Sequence, residues 1–212
     1  MNAFNNSLVF VVGLLLSIFL LESCKSESDF DKSKMVSPFF DEGFYEEYRA
    51  NVEYDFLTNP NSPLADAKNK NIKLQYYAPN GLYRFTSILN EFEKKDTLQL
   101  PTSKEGVLKA YLRYGVFTLN IEKDTFSIVA YRSIKYPESL FLPFLDPTNG
   151  VETYPGGRYL DLPIIKDSVY EIDFNMAYNP YCHYNDKYSC PLVPQENILN
   201  VPIKAGEKIA IK

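Results

Sequence analysis

The sequence predicts a mainly β fold: one N-terminal helix followed by an antiparallel β-sandwich or partly open barrel. The 212 residues include 17 Tyr, 15 Phe and 14 Pro but only 9 Gly, a composition suited to short strands and ordered loops rather than to a helical bundle. A four-residue apolar period marks a single helix over residues 40–56. Beyond it, short aromatic and branched runs recur, broken by Pro, Asn and Asp. With 45% hydrophobic and 23% charged residues the chain falls in the globular class and has enough material for one domain.

In the helix, Phe40, Phe44, Tyr48, Val52 and Phe56 repeat with Glu46, Glu47, Arg49 and Glu53 between them, the pattern of an amphipathic helix. Asp41 is placed to cap its start, and Asn59-Pro60-Asn61-Ser62-Pro63 ends it near Leu57. Strands are predicted over residues 72–78, 82–92, 97–100, 107–121, 125–131, 139–144, 158–162, 169–174, 198–203 and 208–211. Phe117, Leu119 and Ile121 alternate with Thr118 and Asn120, and Glu122-Lys123-Asp124 turns this strand back onto 125–131 as an antiparallel hairpin. With no internal repeat and no second core, residues 39–212 form a single mainly β domain.

Ahead of the domain, Leu8 to Leu21 is an apolar run of 14 residues. It is shorter than the roughly 20 residues a spanning helix needs and suits the apolar core of a signal peptide. Leu21-Glu22-Ser23-Cys24 follows and resembles the lipobox of bacterial lipoproteins, in which cleavage before the cysteine leaves its sulfur to carry a diacylglycerol. Glu22 and the absence of Lys or Arg ahead of the apolar run depart from that pattern; an ordinary signal peptide or an uncleaved anchor is the alternative. On this reading residues 1–23 are the signal peptide and Cys24 is the lipidation site. Residues 24–38, polar and without a packing pattern, are a flexible tether. The acidic stretch after Cys24 also resembles the surface-export signals of Bacteroidetes lipoproteins. The expected location is the cell envelope, lipid-anchored at the outer membrane and facing the periplasm or the surface. The membrane is thus a partner through the lipid.

Lys and Arg number 22 against 27 Asp and Glu, a formal charge of −5, which excludes the basic face of a nucleic-acid binder. A single His excludes mechanisms and metal sites needing two imidazoles from one chain. No Gly-x-Gly-x-x-Gly or Walker pattern is present, and no cofactor is expected.

The polar residues with chemical potential gather in the C-terminal third. Ordered blocks there read Phe144-Leu145-Asp146-Pro147-Thr148-Asn149-Gly150-Val151-Glu152-Thr153-Tyr154, Gly157-Arg158-Tyr159-Leu160-Asp161, Asp173-Phe174-Asn175-Met176-Ala177-Tyr178-Asn179-Pro180-Tyr181-Cys182, Cys190-Pro191-Leu192-Val193-Pro194-Gln195-Glu196-Asn197 and Ala205-Gly206-Glu207-Lys208. This series resembles the family catalogued as domain of unknown function 1684, over roughly residues 40–208, with Ser62-Pro63-Leu64 and Asn80-Gly81-Leu82 fitting its first half. The resemblance implies no activity, substrate or cofactor.

Read from the residues themselves, Cys182 and Cys190 enclose seven positions and, in an exported protein, pair as a disulfide. Free or redox-active thiols are one alternative; a metal held by Cys182, His183 and Cys190, with Asp186 nearby, is another. His183 itself reads as a half-exposed loop residue. Arg158, after the Gly156-Gly157 turn, either clamps an anionic ligand or pairs internally with Asp161 or Asp173. Asp161, Asp173, Asn175, Tyr178, Asn179, Asn197 and Glu207 complete the candidate ligand-binding or catalytic set, the asparagines doubling as loop fasteners.

Two functions compete. One is a lipid-anchored module binding a small molecule or an envelope protein. The other is a small envelope hydrolase or lyase using Arg158 with neighbouring carboxylates. Arg158 in a deep pocket beside two carboxylates would favour the enzyme; Arg158 closed in an ion pair, with an accessible aromatic face, would favour the module.

Overall fold

The computed structural model describes residues 40–65, 71–121 and 123–211. The predicted signal peptide (1–23), Cys24 and the tether (24–38) lie outside the described residues. No helix among the described residues is long and apolar enough to cross a membrane.

The predicted helix is α1, Glu42–Thr58, and Asp41 caps it by accepting the Gly43 amide at 2.9 Å. Its buried face differs from the predicted stripe. Tyr45 and Phe56 are buried and Tyr48, Arg49 and Val52 half-buried, whereas Phe44 is 53% exposed. The row at 45, 48, 49, 52 and 56 is the i, i+3, i+4, i+7 face of a 3.6-residue period, which a strict four-residue count drifts away from. The domain binds α1 through specific bonds. The Tyr45 hydroxyl donates to Asp173 Oδ2 at 2.6 Å, and Arg49 Nη2 donates to the Tyr77 carbonyl at 2.9 Å.

Eight strands follow: β1 Arg84–Ile88, β2 Asn90–Glu91, β3 Thr97–Pro101, β4 Leu108–Ile121, β5 Asp124–Ser133, β6 Ser139–Phe144, β7 Arg158–Pro163 and β8 Val169–Asp173. β2-β4-β5-β6-β7, with β3 also on β4, form a six-stranded antiparallel sheet, and β1 pairs with β8 in a two-stranded one. The result is two stacked antiparallel sheets, with no closed barrel among the described residues. In the β4–β5 hairpin Ile121 pairs with Asp124, a tighter turn than the three residues predicted.

Side chains alternate across a strand, and both faces of the large sheet are covered. Ile128, Ala130, Leu140, Leu142, Leu160 and Leu162 point to one face and pack with Phe85 and Ile172 of the small sheet. Val129, Tyr131, Phe141 and Tyr159 point to the other, toward Tyr178, Cys182 and Cys190. Coverage on both faces explains why β6 is buried at nearly every position.

Three predicted strands are corrected. Residues 72–78, 198–203 and 208–211 make only isolated bridges, including Lys73–Ile211, Tyr76–Glu207 and Leu145–Ile198. The carbonyls of Ile203, Ala205 and Glu207 turn to the Arg158 guanidinium rather than to a neighbouring strand. Pro202 lacks an amide hydrogen. Gly206 has φ +74°, and an added Cβ would sit 2.5 Å from the Ala177 carbonyl oxygen, so only glycine fits there. The segment predicted as one strand over 82–92 opens with a single 3-10 turn, Gly81–Tyr83, capped by Asn80. It then divides into β1 and β2.

Candidate functional site

The outward face of the large sheet is not fully filled. Between it, α1 and the segment 178–191 lies a cleft of about 810 Å³, within the range of small-molecule sites. Tyr111 of β4, Phe141 of β6 and Tyr159 of β7 reach it from the sheet, Tyr48, Val52 and Phe56 from α1, and Tyr178, Tyr181 and Tyr188 from the C-terminal segment. Tyr136 also borders it, so seven tyrosines line one cavity. Three ring pairs are set edge to face, Phe141–Tyr159 at 4.7 Å, Tyr159–Tyr178 at 5.8 Å and Tyr181–Tyr188 at 5.2 Å between centroids, and Tyr111 stacks on Phe141 at 5.3 Å. Such contacts stiffen the walls.

Asp161 is the distinctive polar group. It points from β7 to the same face as Tyr159 and is exposed at the cleft, while the protein packed on its inner side desolvates it and raises its pKa. The Tyr178 hydroxyl donates to its Oδ2, which opposes that rise. Among the described residues no cation pairs with it. Lys109, the cleft's one lysine, donates Nζ to the Ser189 carbonyl at 2.6 Å.

Glu207 also borders the cleft but is bound on several sides. It is 2% exposed and accepts from the Tyr184 hydroxyl at 2.6 Å, the Asn179 amide at 2.7 Å and Tyr76 at 3.3 Å. Burial pushes its pKa up to about 6, with those donors pulling the other way.

Arg158 does not reach the cleft. Its side chain is 0% exposed, and Nη2 donates to Asp146 Oδ2 at 2.8 Å and to the Ile203 carbonyl at 2.7 Å. Nη1 donates to the carbonyls of Ala205 and, at 3.3 Å, Glu207. The ion pair expected with Asp161 or Asp173 is therefore corrected to Asp146, twelve residues upstream. Asp146 is turned inward by its own loop, where Thr148 donates to Oδ1 at 2.8 Å. Arg158 thus gathers the 203–207 segment onto β7.

The remaining candidates are dispersed. Asp173 lies in a second, smaller cavity beside Arg84 and Tyr45. Asn175 bonds both backbone groups of Asn80 at 2.8 and 2.9 Å. Asn197 binds both backbone groups of Val129 and the Pro143 carbonyl. Asn179 donates to the Lys208 carbonyl at 2.8 Å. All three asparagines are buried and fasten loops. Of the predicted set, only Asp161, Tyr178 and Glu207 meet at the cleft. Tyr48, Tyr111 and Phe141 were not singled out as site residues, because they come from distant strands and a helix face. Alternation along β6 does set Phe141 opposite the inner core, but Tyr111 shares the parity of the core residues Phe117 and Leu119 and reaches the cleft only because β4 bulges between Arg113 and Gly115.

Cys182 sits in a one-turn helix, α2, Tyr181–Tyr184, and Cys190 returns beside it. Both are free thiols, so the predicted disulfide is not formed in this structure. The sulfurs meet as hydrogen-bond partners instead, and the Cys182 amide donates to Cys190 Sγ at 3.1 Å. His183 is half-exposed, as expected, but sits in the short helix α2 rather than in a loop. Its Nε2 accepts the Ala210 amide at 3.2 Å, and its ring packs tilted against Tyr154. That nitrogen is unavailable to a metal shared with Cys182 and Cys190. Among the described residues no three His, Cys, Asp or Glu side chains converge as a metal group.

A family model described as "Protein of unknown function (DUF1684)" matches residues 71–208, more than half of the chain. The chain belongs to the DUF1684 family. The match begins later than the expected residue 40, so α1, with its share of the cleft, lies outside the matched segment. Among solved structures, the chain resembles the solution NMR structure of an uncharacterized protein from Haloarcula marismortui. Identity is 28% and the TM-score 0.61, over 79% of this chain and 93% of that one. No curated protein matches the chain at a significant level.

Proposed function

We propose that this DUF1684 protein is a binding module of the cell envelope, held to the membrane by a lipid on Cys24. Its ligand is a small molecule with an apolar body and a basic group, taken up in the tyrosine cleft. One observation carries this reading: Asp161 stands unpaired by any cation of the described residues in a cleft walled by aromatic rings. The Asp161 carboxylate, desolvated by the protein around it but open to solvent, attracts a cation, and so do aromatic faces, so both features complement one kind of guest. The closed Arg158–Asp146 pair supports the module over a site built on Arg158.

The chain has 17 Tyr and no Trp, and seven of those tyrosines line the cleft, so a saturable part of the tyrosine fluorescence reports on it. Titration with benzyltrimethylammonium is expected to quench it saturably. Asp161→Asn is expected to weaken that binding about tenfold, through loss of the Coulomb attraction between the carboxylate and the quaternary ammonium. Equal binding of benzyl alcohol and the cation, unaffected by Asp161→Asn, would remove the cationic specificity. The absence of any saturable response would remove the cleft as a binding site. For the anchor, Cys24→Ser is expected to abolish membrane fractionation.

A hydrolase or lyase draws support from the two cleft carboxylates, Asp161 and Glu207, both raised by burial. Against it, both Glu207 oxygens already accept hydrogen bonds from Tyr184, Asn179 and Tyr76, which leaves a substrate little to bond.

A further inference from the structure

The two thiols differ in ways that a structural crosslink does not require. Cys182 is half-buried against the sheet's outer cluster, whereas Cys190 is 7% exposed and borders the cleft. Donors converge on the Cys182 sulfur: the Cys190 thiol first, then the Ser103 and Tyr154 hydroxyls. Ser103 is itself fixed, its Oγ accepting the Cys190 amide at 3.1 Å. Tyr154 is held against the His183 ring at 4.6 Å. The Cys190 sulfur, by contrast, accepts the Cys182 amide and directs its own proton at the neighbouring sulfur. The negative charge of the pair therefore belongs on Cys182. Its pKa falls to about 6 because the Cys190 thiol donates to it, while that same hydrogen bond and burial push Cys190 up. Thiol–disulfide exchange calls for this arrangement, an accessible thiolate beside a protected partner thiol.

We propose that Cys182 and Cys190 form a reversible dithiol–disulfide couple that exchanges with small-molecule disulfides, Cys182 attacking and Cys190 resolving. In the first step the Cys182 thiolate attacks one sulfur of RSSR; a Cys182–SR bond forms, the RS–SR bond breaks and RS⁻ leaves. In the second, Cys190 gives up its proton to solvent and its thiolate attacks Cys182 Sγ. The Cys182–Cys190 bond forms, the Cys182–SR bond breaks and a second RS⁻ departs. The protein loses two electrons, and one disulfide becomes two thiols once the released thiolates take up protons. The bridge expected from the sequence and the free thiols of the structure are then the two ends of one couple. Neither step involves Asp161, so the couple stands or falls apart from ligand binding.

The test uses the full chain, reduced, freed of reductant and exposed to oxidised glutathione, with products located by peptide mass mapping so that Cys24 is read separately. Wild type is expected to lose two hydrogens through a Cys182–Cys190 bond. Cys190→Ser should accumulate glutathione on Cys182, and Cys182→Ser should react at least about tenfold more slowly at Cys190. Alkylation of Cys182 in wild type should follow an ionisation near pH 6. Glutathione appearing on Cys190 in Cys182→Ser at the wild-type rate would overturn the proposal. Should the serine variants misfold, wild type alone decides. Interconversion of the two forms across glutathione redox buffers upholds the couple, and a bridge that stays closed, or never forms, overturns it.

Discussion

Replacing Arg158 with Met keeps most of the side chain's bulk and removes every hydrogen bond it makes. Asp146 then keeps its charge inside the protein with a side-chain exposure of 0%, and the carbonyls of Ile203, Ala205 and Glu207 lose a shared donor. Breaking a buried pair from one side costs about 3–5 kcal/mol. Each carbonyl left without a partner adds about 1–3 kcal/mol where water cannot replace the guanidinium. Relaxation of the 203–207 segment would recover part of that second contribution, so a loss of about 4 kcal/mol or more is expected. Domains of this size hold only about 5–15 kcal/mol in total, and the corresponding fall in Tm is about 8–16 °C. Urea unfolding followed by far-UV circular dichroism, with Asp146→Asn and the double variant completing a cycle, measures it. The double variant should lose less than the sum of the singles by about 2 kcal/mol or more. A cost below about 1 kcal/mol for Arg158→Met, or strict additivity, would refute the placement of this pair as the tie between β7 and the 203–207 segment. Benzyltrimethylammonium affinity, measured well below the variant's Tm, should be unchanged, because Arg158 does not touch the cleft.

Glu207 gives a pH signature. Its folded pKa is raised from an ordinary value near 4.5 to about 6, so between those values the folded state binds more protons than the unfolded one and stability falls as pH rises. The wild-type minus Glu207→Gln difference in unfolding free energy should drop by about 2 kcal/mol from pH 4.5 to above 6, then level off; a rising or flat difference would contradict the burial argument. Gly157 and Gly106 form a matched pair, both at positive φ, +89° and +74°. An added Cβ at Gly157 would meet Val193 Cγ2 at 2.6 Å and the Phe144 carbonyl oxygen at 2.7 Å, while nothing lies within 4 Å at Gly106. Thermal denaturation should find Gly157→Ala costing about 2–5 kcal/mol, from backbone and overpacking together, and Gly106→Ala only about 1–2 kcal/mol. Equal costs would mean that the Gly157 contacts relax freely.

Much of the architecture follows from local rules that operate within a few residues. Asp41 caps α1 because a short carboxylate reaches the amide two residues on, and Asn59-Pro60 stops the helix by denying it a continuation. The β4–β5 hairpin was legible from period-two patterning and its turn, and β6, β7 and β8 from short aromatic and branched runs between turn residues, all of them properties of the strand itself. Local reasoning fails where a distant group competes for the backbone. Residues 198–203 and 208–211 carry a strand's composition, yet Arg158 draws in the carbonyls of Ile203 and, between the two runs, of Ala205 and Glu207, and a single-window reading has no access to that demand.

The site divides along the same line. Composition alone announced an aromatic surplus and an acidic balance, and chain order placed Asp161, Tyr178 and Glu207 in the right third of the molecule. The sequence also determined that Cys182 and Cys190 lie close along the chain. Only the tertiary structure decided that Arg158 pairs with Asp146, because the choice among Asp146, Asp161 and Asp173 depends on which carboxylate the folded backbone turns inward. Only it joined Tyr48 of α1, Tyr111 of β4 and Tyr159 of β7 into one cleft. Pairing strands far apart in sequence is decided by cooperative packing of two sheet faces, and that free energy exists only once the whole chain has closed.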